Sequence, residues 1–303
     1  MNKQLVRVGD VEIAVTGRFV RMARIEGDMF KFIDAPDALI AALRDRRVPA
    51  DLFTFLQRLP STSPAYGYRM EWDNLAVLEL STFDHWWTDT IRVKTRNRAR
   101  LAKQRGVTLR EVPFDAALVQ GVWEIYNEHP IRQGKRFLHY GKSRERVERE
   151  LGTFLDTSVF IGAFVDATLI GFVKLTLDDS RTQAGIMHIV DRFEHREKAT
   201  TNALIAEAVR ACTDRAIPLL SYARFSYGKK LRDGLADFKE SNGFRKVELP
   251  RYFVPLTRAG RIALRLGMHH RAIDYLPAPL VERARQLRSA WHARRSRSSA
   301  QSH

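Results

Sequence analysis

Residues 184–212, AGIMHIVDRFEHREKATTNALIAEAVRAC, read as a buried strand that runs through a charged loop into an amphipathic helix. The free N–H groups and the dipole of a helix N-terminus attract anions, and glycines normally let the backbone reach a phosphate. No glycine occurs between Val190 and Asn202, so charged side chains would have to replace close backbone approach. A loop with merely solvated charges is the alternative. The residues that we expect at an anion site are Arg196, Lys198, Thr200, Thr201 and Asn202.

A second concentration of reactive side chains lies in NEHPIRQGKRFLHYGKS, residues 127–143. His139 and Tyr140 beside Phe137 would suit a sugar or another polyol, because aromatic faces stack on rings while polar tips bond hydroxyls. A solvated loop is the alternative. The residues that we expect to contact a substrate here are Arg132, Gln133, His139 and Tyr140.

A third group follows the apolar run IPLLSYARF, where the end of a strand commonly borders a site. Its candidates for substrate binding are Tyr222, Tyr227 and Lys229. His188 lies on the strand GIMHIV and is either a buried structural histidine or a general base. Neither a P-loop nor a metal-ligand cluster stands out in the sequence, so no metal is expected.

The chain is strongly basic, although its composition is otherwise ordinary for a globular protein. The chain has 303 residues and a formal net charge of +16, and half of that charge lies in residues 258–303, which hold ten arginines and two acidic residues. Such a charge favours polyanions, whether nucleic acid, an anionic membrane or a phosphate-bearing cofactor. The tail reads as two basic helices that either pack on the protein or lie on an anionic membrane surface.

Cysteine usage and hydropathy limit the cellular locations that the sequence suggests. The single Cys212 excludes an internal disulfide and falls on the apolar stripe of its helix, which predicts a core residue. The first residues lack the apolar core of a signal peptide, and no run of about 18 apolar residues is present. We therefore expect a cytoplasmic protein, with possible peripheral contact at the inner face of the membrane.

The order of predicted elements indicates an α+β fold with mixed central sheets flanked by helices. The first hundred residues predict two or three strands, a helix at APDALIAALRDR and a strand pair in RMEWDNLAVLELSTF, followed by a basic helix that stops at Gly106. From residue 116 the pattern is helix, helix, hairpin, strand, helix, strand, helix, strand. The hairpin joins SVFIGAFV to TLIGFVKLTL through Asp166 and Ala167.

This succession, with IGAFVDATLIGFVKL, GIMHIV and FKESNGFRKVELPRYFVPL, resembles the GNAT N-acetyltransferase superfamily over residues 116–257. The segment KTRNRARLAKQRGVTLREV is similar to the junction of the Fem-type peptidoglycan-bridge aminoacyltransferases. The resemblance implies tandem modules: a degenerate one at 1–113, a better-formed one at 116–257, and a basic tail at 258–303 outside it.

The resemblance also implies roles for the strand GIMHIV. In that superfamily the strand splays from its neighbour, and its backbone holds the acyl carrier and polarises the reacting carbonyl, an effect worth about 3 kcal/mol. The matching positions are Met187, Ile189 and Val190. The family's proton-donating Tyr is replaced by Lys239, and its glycine loop is absent. Fem-type enzymes also lack that loop and use aminoacyl-tRNA, so the donor stays open between acyl-CoA and aminoacyl-tRNA.

The sequence therefore predicts an acyl- or aminoacyltransferase that moves an acyl group to an amine or hydroxyl of a small-molecule or sugar-linked acceptor, such as a cell-envelope sugar precursor. Direct attack by the acceptor is implied, with His188 or His139 as candidate base. The alternative is a non-catalytic GNAT scaffold that binds RNA or an anionic membrane through its arginines.

Overall fold

The computed structural model describes residues 3–132, 135–226 and 234–270. The predicted residues Gln133, Tyr227 and Lys229 lie outside the described residues, as does the tail from residue 271. The strands are β1 (Gln4–Val8), β2 (Val11–Thr16), β3 (Met22–Ile25), β4 (Leu52–Leu56), β5 (Arg69–Glu79), β6 (Thr108–Val112), β7 (Ile131–Arg132), β8 (Lys135–Arg136), β9 (Ser158–Val165), β10 (Thr168–Leu177), β11 (Gln183–Asp191), β12 (Leu219–Ser221) and β13 (Arg245–Pro255).

Helices flank these strands, as the α+β class requires. They are α1 (Pro36–Asp45), α2 (Phe83–His85), α3 (Val93–Gln104), α4 (Ala116–Asn127), α5 (Arg144–Leu151), α6 (Thr200–Thr213), α7 (Gly234–Ser241) and α8 (Arg258–Arg265). A π-helical turn, Trp86–Thr90, follows α2, and 3₁₀ turns occupy Leu155–Thr157 and Phe193–Lys198. None of the helices in the described ranges is long and apolar enough to cross a bilayer.

The first compact unit comprises the described residues 3–76, 223–226 and 246–270. Its strand order is β1-β2-β3-β4-β13-β5, in which β3 and β4 run parallel and the β1–β2, β2–β3 and β4–β13 pairs are antiparallel. The fully buried rings of Phe53, Phe55 and Tyr252 centre its core. Phe55 and Tyr252 stack at 5.0 Å between ring centroids, which adds a directed contact to the area that they bury.

The second unit comprises the described residues 77–132, 135–222 and 234–245. Its strand order is β5-β12-β11-β10-β9-β6, with β11 and β12 parallel and the other pairs antiparallel. Its core holds Val122 and Ile125 of α4, Val147 of α5 and Phe172 of β10, each at 0% exposure. The apolar runs 158–165 and 168–177 are strands buried on both faces, which explains why they do not alternate with polar residues.

Local chemistry fixes the start of both helices that cover this sheet. The Asp115 side chain accepts from the Leu118 N–H at 2.8 Å, and the Ser143 hydroxyl accepts from the Arg146 N–H at 3.4 Å. Each oxygen satisfies one of the N–H groups that a helix start leaves unpaired. The predicted hairpin is confirmed, with Asp166 at a φ of 52° in its turn.

The prediction of a strand pair in RMEWDNLAVLELSTF is wrong, because residues 69–79 form the single strand β5. Asp73 and Asn74 interrupt its apolar pattern, but hydrogen-bond partners from other segments satisfy both side chains. Asp73 accepts from Arg224 at 2.6 Å and from Arg251 at 2.7 Å, while Asn74 Oδ1 accepts from the Ser226 N–H at 3.0 Å. The apolar run IPLLSYARF is a strand only at Leu219–Ser221. Strands β1 and β4 were not predicted.

Hydrogen bonds to Asp51 hold the chain in place just before α8. The Asp51 carbonyl accepts from the Leu256 N–H at 2.9 Å, and its carboxylate accepts from the Arg21 N–H at 2.9 Å. Thr257 caps α8 by accepting from the Gly260 N–H at 2.9 Å. A Cβ at residue 260 would lie 1.9 Å from the Asp51 carbonyl oxygen, so only glycine permits this approach.

We expect Gly260→Ala to lower the free energy of unfolding of the protein by about 1 to 3 kcal/mol or more, because backbone must move to relieve the overlap. The matched control is Gly67→Ala in the same unit, where a Cβ meets nothing within 4 Å. Urea unfolding followed by circular dichroism measures both. Equal midpoints for the two variants would contradict the packing described for α8.

Candidate active site

A β-bulge opens strand β11 at its centre. On β10, Lys174 pairs with His188 and Leu175 pairs with Ile186, so Met187 is the extra residue of β11. Strand β12 pairs with β11 only from Gln183 to Gly185, and no further ladder pair joins these strands in the described part of the chain. Residues 186–191 therefore have β10 on one side and, within the described ranges, no strand on the other. A bulge of this kind commonly re-aims the backbone and side chains at a site.

Lys174 is fully buried beside this bulge, in the middle of an otherwise apolar strand. Its Nζ donates to the Leu151 carbonyl at 2.7 Å, to the Thr153 carbonyl, and to the Thr153 hydroxyl at 3.3 Å. Three acceptors match the three donors of an ammonium group and stabilise its charged form. Burial lowers the pKa of Lys174 to about 8, so the group still carries most of its charge at pH 7.

One imidazole lies next to this charge, and a second imidazole lies next to the first. His188 is the cross-strand partner of Lys174, and the ring of His139, from the α4–α5 connection, lies 6.2 Å from the His188 ring between centroids. His139 also packs at 4.2 Å against the ring of the buried Tyr126. Burial, reinforced by Lys174, lowers the pKa of His188 to about 4; burial and Lys142 lower the pKa of His139 to about 4. Both rings are therefore neutral at pH 7.

A carboxylate and a second lysine complete the cluster. Lys142 Nζ lies 2.9 Å from His139 Nδ1 and also donates to Glu150, which accepts from Arg146 Nε at 3.0 Å. Burial raises the pKa of Glu150, but the hydrogen bonds from Lys142 and Arg146 outweigh it and lower the pKa overall. The cluster thus joins two neutral imidazoles to several cations and one carboxylate, which offsets part of the positive charge.

The loop between β11 and α6 has a different arrangement from the one the sequence suggests. The Glu128 carboxylate accepts from the Phe193 N–H at 2.6 Å and from the Glu194 N–H at 3.1 Å. Lys198 Nζ donates to the Arg105 carbonyl at 3.2 Å, and the exposed Arg196 lies 4.4 Å from the centre of the Phe193 ring. A carboxylate from the protein thus takes two backbone donors at the start of this loop.

The start of α6 carries no side-chain cap. The N-cap position is Ala199, with φ of 56°, and the Thr201 hydroxyl donates to Asp191 at 2.9 Å. The Thr200 hydroxyl is buried and has no partner among the described residues, while Asn202 is 7% exposed. These side chains therefore lie within the fold at the helix start, and their binding role stays a prediction.

Four other predicted residues belong to β11 or to the connection that carries His139. Arg132 donates to the Asp191 carbonyl at 2.6 Å and to the Ile125 carbonyl at 2.8 Å, so it ties the α4–α5 connection to the end of β11. Tyr140 is 40% exposed in the same connection. The side chains of Ile189 and Val190 are partly buried, and Val190 packs on the core of α4 and β10.

Lys239 and Tyr222 come together elsewhere in the second unit. Lys239 is 1% exposed on α7, and its Nζ lies 4.6 Å from the centre of the Tyr222 ring. Tyr222 also packs against Phe244 at 5.9 Å between ring centroids. Cys212 is 1% exposed, and burial raises the pKa of its thiol to about 12, which confirms its prediction as a core residue.

Solved structures of other proteins share this fold. It is similar to the C-terminal domain of a protein assigned as a lysylphosphatidylglycerol synthetase from Agrobacterium fabrum, with a TM-score of 0.56 and 14% identity over 87% of each chain. It is also similar to L-PGS from Bacillus licheniformis, with a TM-score of 0.54 and 15% identity over 88% of each chain. FemX has a TM-score of 0.56 at 8% identity, over 88% of this chain and 90% of FemX.

The chain has the Fem-like GNAT fold. No protein-family model matches the sequence, and no curated protein sequence matches it. At these low identities the similarity establishes the fold alone. Within the Fem-like GNAT fold, the bulged strand β11 and the helices α4 and α5 agree with the elements that the sequence assigned to residues 116–257.

Several residues of this candidate site were not predicted from the sequence. The signal for Lys174 was its place in TLIGFVKLTL, because a lysine inside a buried strand needs partners or a function. Glu128, Lys142 and Glu150 gave no such signal, since their partners come from elements that only the folded chain brings together. Their contacts depend on where α4 and α5 lie on the sheet.

The lowered pKa of His188 predicts a specific pH dependence of stability. Its folded pKa of about 4 lies below the ordinary 6.5, so the unfolded state binds more protons between these values and stability falls as pH drops through this window. Between pH 7 and pH 5 the free energy of unfolding should fall in the wild type and fall less in His188→Gln. We expect the difference between the two falls to be roughly 1 to 2 kcal/mol. Urea titrations at both pH values measure this.

The matched control is His85→Gln, which changes a 59% exposed imidazole that pairs with Asp89 in the same unit. It should keep the pH dependence of the wild type. If His188→Gln loses as much stability as wild type between pH 7 and pH 5, the imidazole of His188 is not held neutral by its surroundings.

Proposed function

We propose that the second unit is an acyl- or aminoacyltransferase whose reaction takes place at the Met187 bulge of β11. The observation that carries this proposal is the convergence of His188, His139 and the buried Lys174 on a strand segment that has a partner on one side only. A functional site commonly concentrates buried titratable groups whose pKa values are strongly shifted. Three such groups meet here, on adjacent strands and the connection that covers them.

The donor's carbonyl would lie along residues 187–190, where backbone N–H groups of β11 polarise it. Negative charge develops on the carbonyl oxygen when the nucleophile attacks, and fixed donors in a water-poor site stabilise it strongly. The Lys174 ammonium adds a full positive charge beside the same segment, and three hydrogen bonds hold it in place. Met187, Ile189 and Val190 contribute backbone, so their side chains matter less.

The acceptor would enter on the side of His139 and His188. The amine nitrogen or hydroxyl oxygen of the acceptor forms the new bond to the carbonyl carbon, and the bond from that carbon to the carrier breaks. The proton of the nucleophile passes to a neutral imidazole, and the carrier leaves with a proton from solvent or from a nearby acid. Both imidazoles are neutral at pH 7 and can accept that proton, although a pKa near 4 makes each a weaker base than a free histidine.

The β11–α6 loop bears on the choice of donor. Because Glu128 occupies the N–H groups of Phe193 and Glu194, a pyrophosphate would have to displace a carboxylate to reach the backbone there. Arg196 and Lys198 can contact phosphate through side chains instead. This arrangement favours aminoacyl-tRNA, whose phosphates are spread along the RNA, over acyl-CoA. Separately, Lys239 and the neighbouring Tyr222 stay candidates for substrate contact.

The similar structures support this class of reaction without naming the acceptor. The name lysylphosphatidylglycerol synthetase describes an amino acid joined to a lipid. The site described here suits transfer to an amine and transfer to a hydroxyl equally well. The proposal therefore includes both sugar-linked and lipid acceptors. Tyr140 and Arg132, in the connection that carries His139, are the candidates for acceptor contact.

The alternative is a GNAT scaffold that binds RNA or an anionic membrane without catalysis. One observation favours it: two amide donors of the β11–α6 loop, those of Phe193 and Glu194, are already satisfied by Glu128. Helix α3 provides a basic surface for such a partner, since its residues 93–104 include five lysines and arginines and no acidic residue. Salt-dependent RNA binding in the absence of any transfer would support this alternative.

The test is transfer of radiolabel from aminoacyl-tRNA, charged with a mixture of labelled amino acids, or from labelled acetyl-CoA to the small molecules and lipids of a cell extract. We expect transfer by the wild type and a loss of about 100-fold or more in His188→Gln and His139→Gln, the usual contribution of a positioned base. The His85→Gln variant should transfer at the wild-type rate. Melting curves of each variant separate a lost role in the reaction from a lost fold.

A wild type that transfers no label from either donor would contradict the proposal. So would transfer at the wild-type rate by both His188→Gln and His139→Gln. Lys174→Met provides a further comparison, although it also leaves the carbonyls of Leu151 and Thr153 without their donor and is read together with its melting temperature.

A further inference from the structure

Two adjacent histidines and a glutamate converge in the first unit, whereas the described residues assigned a role in the reaction belong to the second unit. His269 Nε2 lies 2.7 Å from Glu71 Oε1, and His270 Nε2 lies 3.2 Å from the same oxygen. One ligand atom from each of the three residues lies within 4.8 Å of the other two. The sequence predicted no metal cluster, because Glu71 and His269 are 198 positions apart.

The turn after α8 holds the two histidines in this position. Gly267 has φ of 71°, its N–H donates to the Leu264 carbonyl at 3.3 Å, and the Met268 N–H donates to the Ala263 carbonyl at 2.9 Å. This pair of bonds with a left-handed glycine is the Schellman motif, which ends a helix and redirects the chain. The chain therefore turns sharply and presents His269 and His270 together toward β5.

The burial of the three side chains suits a small ion. The His269 side chain is 0% exposed and packs at 4.6 Å against the Phe253 ring, while the side chains of His270 and Glu71 are 32% and 34% exposed. One ring nitrogen of His269, Nδ1, is buried without a partner among the described residues. Burying an imidazole that has a single hydrogen-bond partner is costly unless its other interactions are strong.

We propose that Glu71, His269 and His270 bind a divalent transition-metal ion of the Zn²⁺ class. Two imidazole nitrogens and one carboxylate oxygen form a common donor set for Zn²⁺, with bonds of about 2.0 to 2.2 Å. Tetrahedral ligands at such bond lengths lie roughly 3.3 Å from one another. The observed separations of 2.7 Å and 3.2 Å between the Glu71 oxygen and the two imidazole nitrogens each lie within roughly 0.6 Å of that value.

The bound ion would fasten the turn that follows α8 to strand β5. Glu71 lies near the start of β5, and the two histidines lie at the end of the described chain, so the metal would join two segments of the first unit that are 198 positions apart in sequence. Three protein ligands leave one position of a tetrahedral ion for water. The ion is thus proposed as a clamp on the fold, and the transfer reaction proposed above does not depend on it.

The test uses the full chain, freed of metal with a chelator, and Zn²⁺ or Co²⁺ as the probe. We expect the wild type to bind one equivalent of Zn²⁺ with a dissociation constant of about 1 µM or lower by calorimetry, and its melting temperature to rise. Co²⁺ should give the visible absorption of a four-coordinate ion. Glu71→Gln and His270→Gln should each weaken binding by about tenfold or more. These variants change partly exposed side chains, so they avoid the packing around His269.

The matched control is His85→Gln, which removes another imidazole–carboxylate pair, at 3.1 Å, that no second histidine joins. It should bind Zn²⁺ as the wild type does. No Zn²⁺ binding by the wild type at tenfold above that concentration would overturn the proposal. Equal binding by the wild type, Glu71→Gln and His270→Gln would also overturn it, since the metal would then belong to other histidines of the chain.

Discussion

The need to satisfy a buried lysine determines the arrangement of the second unit around its bulged strand. Lys174 lies at 0% exposure between two strands, and an ammonium in such a place is tolerated only with partners for all of its donors. The Leu151 carbonyl and the carbonyl and hydroxyl of Thr153 supply them, which fixes the end of α5 and the turn after it over β10. The same turn carries the chain into β9, so the lysine links the helix layer to the sheet.

The charge on Lys174 also adds to the effect of burial on the protonation of its neighbour His188. It reinforces the burial that keeps His188 neutral, and Lys142 does the same for His139, while Glu150 offsets part of the positive charge through its bonds to Lys142 and Arg146. Two neutral imidazoles beside a fixed ammonium can receive a proton while negative charge develops nearby. The chemistry that we propose therefore follows from how the fold accommodates one buried charge.

Patterns within single segments allowed much of this fold to be predicted from sequence. The hairpin of β9 and β10, the strand–helix unit of β11 and α6, and the covering helices α4 and α5 follow from hydrophobic runs, turn residues and caps. The meeting of His139 with His188 agrees with the expected position of the α4–α5 connection. What sequence reasoning missed depends on distant segments: Glu128 bonded to the β11–α6 loop, Lys174 bonded to the end of α5, and Glu71 beside His269 and His270. Such pairs leave no period or spacing in the sequence.

Hydrogen exchange of the β11 amides tests the central claim most directly, because it reports on the donor-binding backbone without knowledge of the acceptor. The exchange of peptides that cover residues 186–191 is measured by mass spectrometry in the free protein and with saturating aminoacyl-tRNA or acyl-CoA. Our account predicts that at least one donor slows exchange at 186–191, while peptides that cover β2, residues 11–16, are unchanged. Unchanged exchange at 186–191 with both donors would contradict the claim that the Met187 bulge receives the acyl group.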